Sequence, residues 1–297
     1  MDSRSKTVLI TGINGFTGNH LAKKLESEGF KVVGTSHAPT TLNGVCTLDI
    51  TDKERVLEVL SEVNPDYIIH LAAISFVGHA DATEFYRVNV LGTENILDCA
   101  VKSGLNLSKV IVSSSANVYG NANLNLISET TSPEPVNHYA CSKLSMEKIT
   151  ANYFNRLPII ITRPFNYTGI GQAEHFLVPK IVSHFKANKR EIELGNLDVF
   201  RDFSSIHFVV EAYVSLLTSN VKSEIVNICS GTSHSLNQII DYLEGIAGYK
   251  INVTVNPSFV RKDEVKKITG DNTKLFSFCP ELNVRSLQQT LIDMFKA

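Results

Sequence analysis

Residues 7–21 read T-V-L-I-T-G-I-N-G-F-T-G-N-H-L. Val8, Leu9 and Ile10 form a short aliphatic run, bounded by glycine and too short for a helix, so they predict a buried strand. Gly12, Gly15 and Gly18 follow three apart, and Leu21, Ala22 and Leu25 then fall at helical spacing. A strand that turns through glycines into a helix offers an anion unpaired backbone N–H groups and the positive end of the helix dipole. Glycines also let the backbone approach phosphates and let the helix lie close on the sheet. Three spaced glycines occur in surface turns too. The strand–turn–helix setting is what points here to the pyrophosphate of a dinucleotide.

Outward from this stretch, K-V-V-G-T at 31–35 predicts a second strand. A carboxylate at its end would accept hydrogen bonds from the adenosine ribose of NAD. Ser36 and His37 stand there instead. The missing charge removes repulsion against a 2′-phosphate and favours NADPH. No arginine in the strand's tail clamps that phosphate, so NADH stays open, as does a reading of both residues as solvated loop. Leu48-Asp49-Ile50 precedes a charged helix over 51–63, with Thr51 or Asp52 as its cap. Y-I-I-H-L-A-A at 67–73 predicts a buried strand ending in small residues, which leave room for a cofactor beyond the strand ends. A long helix is expected over 85–103, in which Asn89 can bond backbone and hold the neighbouring strand open.

K-V-I-V-S-S-S at 109–115 is a further core strand that ends in three hydroxyls. A Pro- and Asn-rich loop over 118–137 leads into H-Y-A-C-S-K-L-S-M-E-K, a run of strong helix formers. The alternation of strands and helices from residue 7 to about 162 predicts an α/β fold with a doubly wound parallel sheet of the Rossmann type. Beyond Arg163-Pro164 the pattern becomes irregular: a loop over 165–172, a helix over 176–187, a loop over 195–203, a helix over 204–219, a strand over 224–229, a helix over 236–247 and a strand over 251–255. The expected organisation is a dinucleotide-binding domain over 1–165, with a returning segment near 204–229. Residues 166–297 then form mainly a smaller substrate domain.

Composition narrows the function classes. The 297 residues are 43% hydrophobic and 20% charged with a net charge of −2, ordinary for a globular protein and without the basic footprint of a nucleic-acid binder. No apolar run is long enough to cross a bilayer, and no apolar signal region separates M-D-S-R-S-K from the first strand. Five scattered cysteines without C-x-x-C spacing read as reduced thiols of a cytoplasmic protein, with no metal site.

Tyr139 and Lys143 lie four apart, on one helical face. A phenol titrates near pH ~10, and a neighbouring ammonium and a cationic nicotinamide favour its anion. Tyr139 is then a proton donor to a carbonyl oxygen that receives a hydride, and Ser115 can hydrogen-bond that oxygen. The plainer reading is a solvated Tyr/Lys pair beside an N-capping serine. The glycine loop upstream favours chemistry.

The segments G-I-N-G-F-T-G, L-D-I, H-L-A-A, N-V-L-G-T, S-S-S-A-N-V-Y-G, Y-A-C-S-K and R-P-F-N stand in the order seen in extended short-chain dehydrogenases/reductases, the NAD-dependent epimerase/dehydratase family. The resemblance covers nearly the whole chain. R-P-F-N-Y-T-G-I-G-Q, G-N-L-D-V-F-R-D-F, N-I-C-S-G and R-K-D-E resemble the reductases of GDP-linked 6-deoxy-4-ketohexoses, which make GDP-rhamnose or its talose epimer. It implies that Gly12, Gly15, Phe16, Thr17 and Gly18 wrap the pyrophosphate, that Asp49 and Ile50 flank adenine, and that Leu71, Ala72 and Ala73 pass under the cofactor. It implies substrate roles for Asn166, Phe176, Lys180, Arg201, Arg261 and Glu264. Arginines suit a diphosphate because they bind it bidentately, and a carboxylate suits ribose hydroxyls or a guanine edge. Sugar-nucleotide 4,6-dehydratases need a carboxylate just after the catalytic hydroxyl; Ala116-Asn117 supplies none. The 4-epimerases of the UDP-galactose type favour an acid at the end of the second strand, also missing here, which weakens that alternative without removing it. The resemblance further implies a homodimer. A dinucleotide-sensing protein without catalysis is the reading from another class.

Overall fold

β1 (Thr7–Thr11) is buried at every residue and lies within a seven-stranded sheet. The computed structural model describes residues 5–76, 79–122, 124–259 and 266–297. After β1 come α1 (Phe16–Ser27), β2 (Lys31–Ser36), β3 (Val45–Thr47), α2 (Lys53–Val63) and β4 (Tyr67–His70). Asp52 caps α2 by accepting from Arg55 N. A helical run follows, made of α3 (Ala82–Tyr86), a π-helical turn at Arg87–Gly92 and α4 (Thr93–Lys102). Then come β5 (Lys109–Ser113), a 3-10 turn at Ala116–Tyr119, α5 (His138–Ala151) and β6 (Ile159–Pro164). The rest of the chain forms β7 (Asn166–Thr168), α6 (Leu177–Lys186), β8 (Glu191–Leu194), β9 (Phe200–Ser205), α7 (Ile206–Thr218), β10 (Glu224–Ile228), β11 (Ser233–Ser235), α8 (Leu236–Ala247), β12 (Asn252–Val255), β13 (Lys267–Ile268), α9 (Thr273–Phe278) and α10 (Leu287–Lys296).

The large sheet has the order β10-β6-β5-β4-β1-β2-β3, and every pair from β6 to β3 is parallel. Strand order therefore reverses between β1 and β4. In open α/β sheets that reversal opens a crevice beyond the strand C-termini where ligands bind. This is the Rossmann-type doubly wound sheet that the alternation predicts. Leu9, Ile68, Val110 and Ile159 of adjacent strands pack in one core with Val56, Leu60, Ile96 and Met146 from the helices.

The chain divides into two units. One comprises Met1–Gly120, Pro133–Arg163 and Val210–Val226; the other comprises Asn121–Ser132, Pro164–Val209 and Asn227–Ala297. In the second, β9 lies between β11 and β13 and also pairs with β7, while β8 pairs with β12. Its core joins Ile181 and Phe185 of α6, Ile239 and Leu243 of α8 and Leu291 of α10.

Several sequence expectations need correction. The loop expected over 195–203 contains the start of β9, and the following helix begins at Ile206, not at 204. Arg201 and Asp202 hide this strand. Asp202 is fully buried, accepting from Ser230 N and Oγ at 2.9 and 2.6 Å and from Gly231 N at 3.0 Å. The loop expected over 165–172 includes β7, which pairs with β9 only because that strand exists. The helix expected over 85–103 starts earlier, at Ala82, and is interrupted by the π-helical turn. β8 has no counterpart among the sequence expectations.

Candidate functional site

The glycine turn after β1 is built for close backbone approach. Gly12 has φ of 74°, in the left-handed region, and a Cβ on it would lie 3.0 Å from the backbone of Ala72. A Cβ on Gly18 would lie 2.6 Å from the carbonyl oxygens of both Gly12 and Ile13. Gly12 N and Ile13 N both donate to Thr35 O, at 3.0 and 3.1 Å, which pins the turn to β2. Gly15 caps α1 without a side-chain bond, and the first turn, with Phe16, Thr17 and Gly18, carries no acid. Dipole, glycine packing and absence of a rival carboxylate there fit a dinucleotide pyrophosphate.

At the neighbouring strand end Ser36 is buried, with its carbonyl accepting from Leu48 N at 2.9 Å, whereas His37 is 82% exposed and so is the group presented there. Burial pushes the Asp49 carboxyl up, but bonds from Thr51 N and Oγ1 at 2.9 and 2.8 Å, with His37 and Arg87 nearby, bring it below its ordinary value. Ile50 is buried against Gly92, where a Cβ would lie 2.6 Å from the Ile50 side chain.

Leu71, Ala72 and Ala73 are half-buried and tied down by groups that sequence reasoning did not single out. Thr93 Oγ1 donates its hydrogen to Asn89 O at 2.7 Å, so toward His70 Nε2, at 2.9 Å, it accepts. That bond assigns the proton of the ring to Nε2 and leaves Nδ1 to accept from Thr11 Oγ1 at 2.7 Å. Thr11 Oγ1 in turn accepts from Leu71 N and Ala72 N, both at 3.2 Å. Burial, reinforced by the charge of Lys143, holds His70 neutral with a pKa lowered to about 3. Asn89, on the π-helical turn, accepts from Ile74 N at 2.8 Å and donates to Ile74 O at 3.1 Å and Ser142 Oγ at 3.0 Å. It thus pairs backbone beyond β4 and reaches α5.

Ser115 stands where β5 runs into the 3-10 turn. Its Oγ accepts from Asn117 N at 3.2 Å, so it is an N-cap, yet that bond does not use its hydroxyl hydrogen. Tyr139 opens α5 at 8% exposure, edge-on to Phe85 with ring centroids 6.0 Å apart. One turn later Lys143 is buried, and its Nζ donates to Ser113 O at 2.7 Å. Burial lowers its pKa to about 8, against the opposing charge of Glu147. The Tyr–Lys pair is therefore not a solvated surface pair.

Behind it lies a buried polar network absent from the sequence expectations. Glu147 Oε1 accepts from Ser114 Oγ at 2.5 Å and from Arg163 Nε at 2.9 Å, Oε2 accepts from Arg163 Nη2 at 2.6 Å, and Arg163 Nη1 donates to Tyr119 Oη at 2.9 Å. The one signal in the sequence is a charged residue closing the apolar run I-I-I-T-R.

The family model described as "GDP-mannose 4,6 dehydratase" matches residues 9–279. The chain belongs to the GDP-mannose 4,6-dehydratase family. A family relative from Aggregatibacter actinomycetemcomitans, GDP-6-deoxy-D-talose 4-dehydrogenase, is 38% identical over 97% of each chain. GDP-6-deoxy-D-mannose reductase of Pseudomonas aeruginosa is 29% identical, again over 97% of each. The crystal structure of a putative epimerase from Burkholderia cenocepacia superposes with a TM-score of 0.94 at 39% identity, covering 98% of this chain and 97% of that one. Solved structures of the same fold include complexes with NAD and with NADPH. The chain is an NAD(P)-dependent oxidoreductase that acts on a nucleotide sugar.

The turn after Ser115, Ala116–Tyr119, carries no carboxylate. Apart from Ser115, the expected substrate residues that the structure describes fall in the second unit. Asn166 opens β7 and is exposed. Phe176 caps α6 and lies against the His175 ring, with centroids 4.3 Å apart. Lys180, one turn later, donates to Glu193 O at 2.9 Å and sits 5.0 Å over the Phe259 ring. Arg201, half-buried on β9, donates to Phe200 O at 2.9 Å. Arg261 and Glu264 lie outside the described residues. Among the described residues no cluster of His, Cys, Asp or Glu is arranged to hold a metal, and no helix is long and apolar enough to cross a membrane.

Proposed function

We propose that this chain reduces the C4 ketone of a GDP-linked 6-deoxy-4-ketohexose, giving GDP-rhamnose or GDP-6-deoxytalose, with NADPH preferred over NADH. The observation that carries this reading is the buried Tyr139–Lys143 pair on α5, whose Lys143 Nζ donates to Ser113 O, two residues before Ser115. When bound, the nicotinamide supplies the hydride. Tyr139 delivers the proton that the ketone oxygen then needs, and Ser115 donates a hydrogen bond that orients that oxygen. Lys143, anchored on Ser113 O, keeps a positive charge beside the phenol and can reach the nicotinamide ribose. Gly12, Gly15, Phe16, Thr17 and Gly18 hold the pyrophosphate. Asn166, Phe176, Lys180 and Arg201 serve the GDP-sugar, with Arg261 and Glu264 assigned by resemblance alone.

The names of the two curated relatives support C4 redox chemistry on a GDP-6-deoxyhexose. One is named for oxidation and the other for reduction, and a single Tyr–Lys site serves both directions. The lack of a carboxylate after Ser115 argues against dehydration. The chain is further read as a cytoplasmic homodimer. The test is to incubate the protein with GDP-4-keto-6-deoxymannose and NADPH, follow absorbance at the nicotinamide band and identify the product by NMR. Stoichiometric NADPH consumption with a reduced C4 supports the proposal. Isomerisation without net NADPH consumption replaces it with a 4-epimerase, and tight NADPH binding without turnover replaces it with a dinucleotide sensor.

A further inference from the structure

Glu147 and Arg163 form an ion pair whose side chains are 2% and 4% exposed. A fold gains little from such a pair, because desolvation of two charges offsets their attraction and well-packed apolar residues serve stability as well. Its placement suggests another use. On α5, Lys143 and Glu147 are one turn apart, and they bond successive residues of the strand end: Lys143 Nζ donates to Ser113 O at 2.7 Å, while Glu147 Oε1 accepts from Ser114 Oγ at 2.5 Å. The next residue is Ser115. On its other side, the 3-10 turn that Ser115 caps ends at Tyr119, whose hydroxyl accepts from Arg163 Nη1 at 2.9 Å and whose ring centroid lies 4.8 Å from the guanidinium carbon. Ser115 is thus bracketed by Ser114 and Tyr119, each tied to one member of the pair. The pair itself bridges α5 and β6 through two parallel hydrogen bonds, the arrangement that gives arginine–carboxylate contacts their directional rigidity. β6 is fixed to the same strand end by Ser114 N donating to Thr162 O at 2.7 Å, and by Tyr213 Oη, which bonds both Ser113 Oγ and Thr162 Oγ1 at 2.8 Å.

We propose that Glu147 and Arg163 are positioning residues that hold the Ser115 turn in register with the Tyr139–Lys143 face of α5, with Glu147 serving also as the buried counter-charge of the Lys143 ammonium. This rests on the roles given to Ser115, Tyr139 and Lys143 above. Neither residue touches the reacting atoms; both act through residues that do. His70, whose pKa the charge of Lys143 helps to lower, is neutral, and Glu147 is a charge that opposes the burial of Lys143.

Two variants test the proposal, and one measurement does not need turnover. In protein labelled at lysine Cε, with Lys143→Ala used to assign the signal, the Lys143 resonance should titrate near pH 8 in the wild type. In Glu147→Gln the midpoint should fall by about one pH unit, since burial then acts unopposed. In the reductase assay kcat of that variant should drop about 10–100-fold, as for misplaced catalytic groups, with KM for the sugar within about threefold. The double variant Glu147→Met/Arg163→Met removes both charges at similar volume, so it should melt near the wild-type temperature and still lose kcat to the same extent. An unmoved Lys143 midpoint in Glu147→Gln, or a double variant that folds and turns over normally, overturns the proposal. Failure of both variants to fold overturns it too, since the pair is then a folding element. If the wild type itself does not consume NADPH, the reductase reading fails, and the titration still decides whether Glu147 is the counter-charge.

Discussion

Lys143 buries an ammonium with one carbonyl to receive its proton and one carboxylate a turn away, so the proton is held weakly, near pH 8. The proposed reduction needs that charge in place while Tyr139 still carries its own proton. Rising pH strips the lysine, so kcat/KM for ketone reduction should fall on the alkaline side with an apparent midpoint of about 8, read from NADPH consumption across the range. Lys143→Arg stays charged throughout, and its alkaline limb should move upward whatever its absolute rate. Tyr139→Phe removes the proposed proton donor and little volume. It should keep NADPH affinity within about twofold and lose about 10²–10⁴ in kcat, the span of general acid catalysis. Near-normal turnover would take the proton-donor role away from Tyr139. Ser115 shows how one residue satisfies both of its readings: its oxygen caps a turn while its hydrogen stays available to a substrate.

The strand–turn–helix unit from β1 to α1 was legible because its information is local: an apolar run, glycines at fixed offsets and a helical repeat. It also yields a sharp test. A Cβ on Gly18 would meet two backbone oxygens at 2.6 Å, neither of which can rotate away. Gly18→Ala must therefore lift α1 from the turn and weaken NADPH binding by tenfold or more, about 1.4 kcal/mol, measured by NADPH fluorescence titration. The Tyr139–Lys143 pair was legible for the same reason, since four residues on a helix fix a shared face. β9 was not. Its Asp202 is made tolerable by Ser230 and Gly270, 28 and 68 residues away, and nothing within a short window announces those partners. Asn89 was legible as a backbone-bonding residue, yet the π-helical turn that carries it was not, because its anchors are Ile74 and Ser142, 15 and 53 residues distant. Arg163 closes a strand that otherwise reads as core, and only Glu147, 16 residues earlier, explains a charge there.

On the scale of the whole molecule, Leu91, on the π-helical turn that packs on α5, leaves apolar surface uncovered at 52% exposure. The homodimer reading assigns that surface to a second copy, so the protein should sediment as a dimer at micromolar concentration and Leu91→Glu should shift it toward monomer. Global stability offers an independent handle through His70. In the folded chain its pKa is about 3, against an ordinary 6.5, because the imidazole is buried and wired in its neutral form between Thr11 and Thr93. A group depressed by folding lends stability that is complete above its ordinary value and is lost as pH falls toward its folded value. The window is therefore pH 6.5 down to about 3, and full protonation would cost the fold about 5 kcal/mol. His70→Asn should be less stable at pH 7 by about 1–3 kcal/mol, since Thr11 and Thr93 lose a buried partner. Its stability should nevertheless depend less on acid: between pH 6 and 4 the wild-type unfolding free energy, from urea titrations, should fall more steeply than the variant's by about 1.4 kcal/mol per pH unit. Parallel curves would mean that His70 already carries a proton in the fold, and the bond between His70 Nδ1 and Thr11 Oγ1 would then run from the ring to the hydroxyl oxygen.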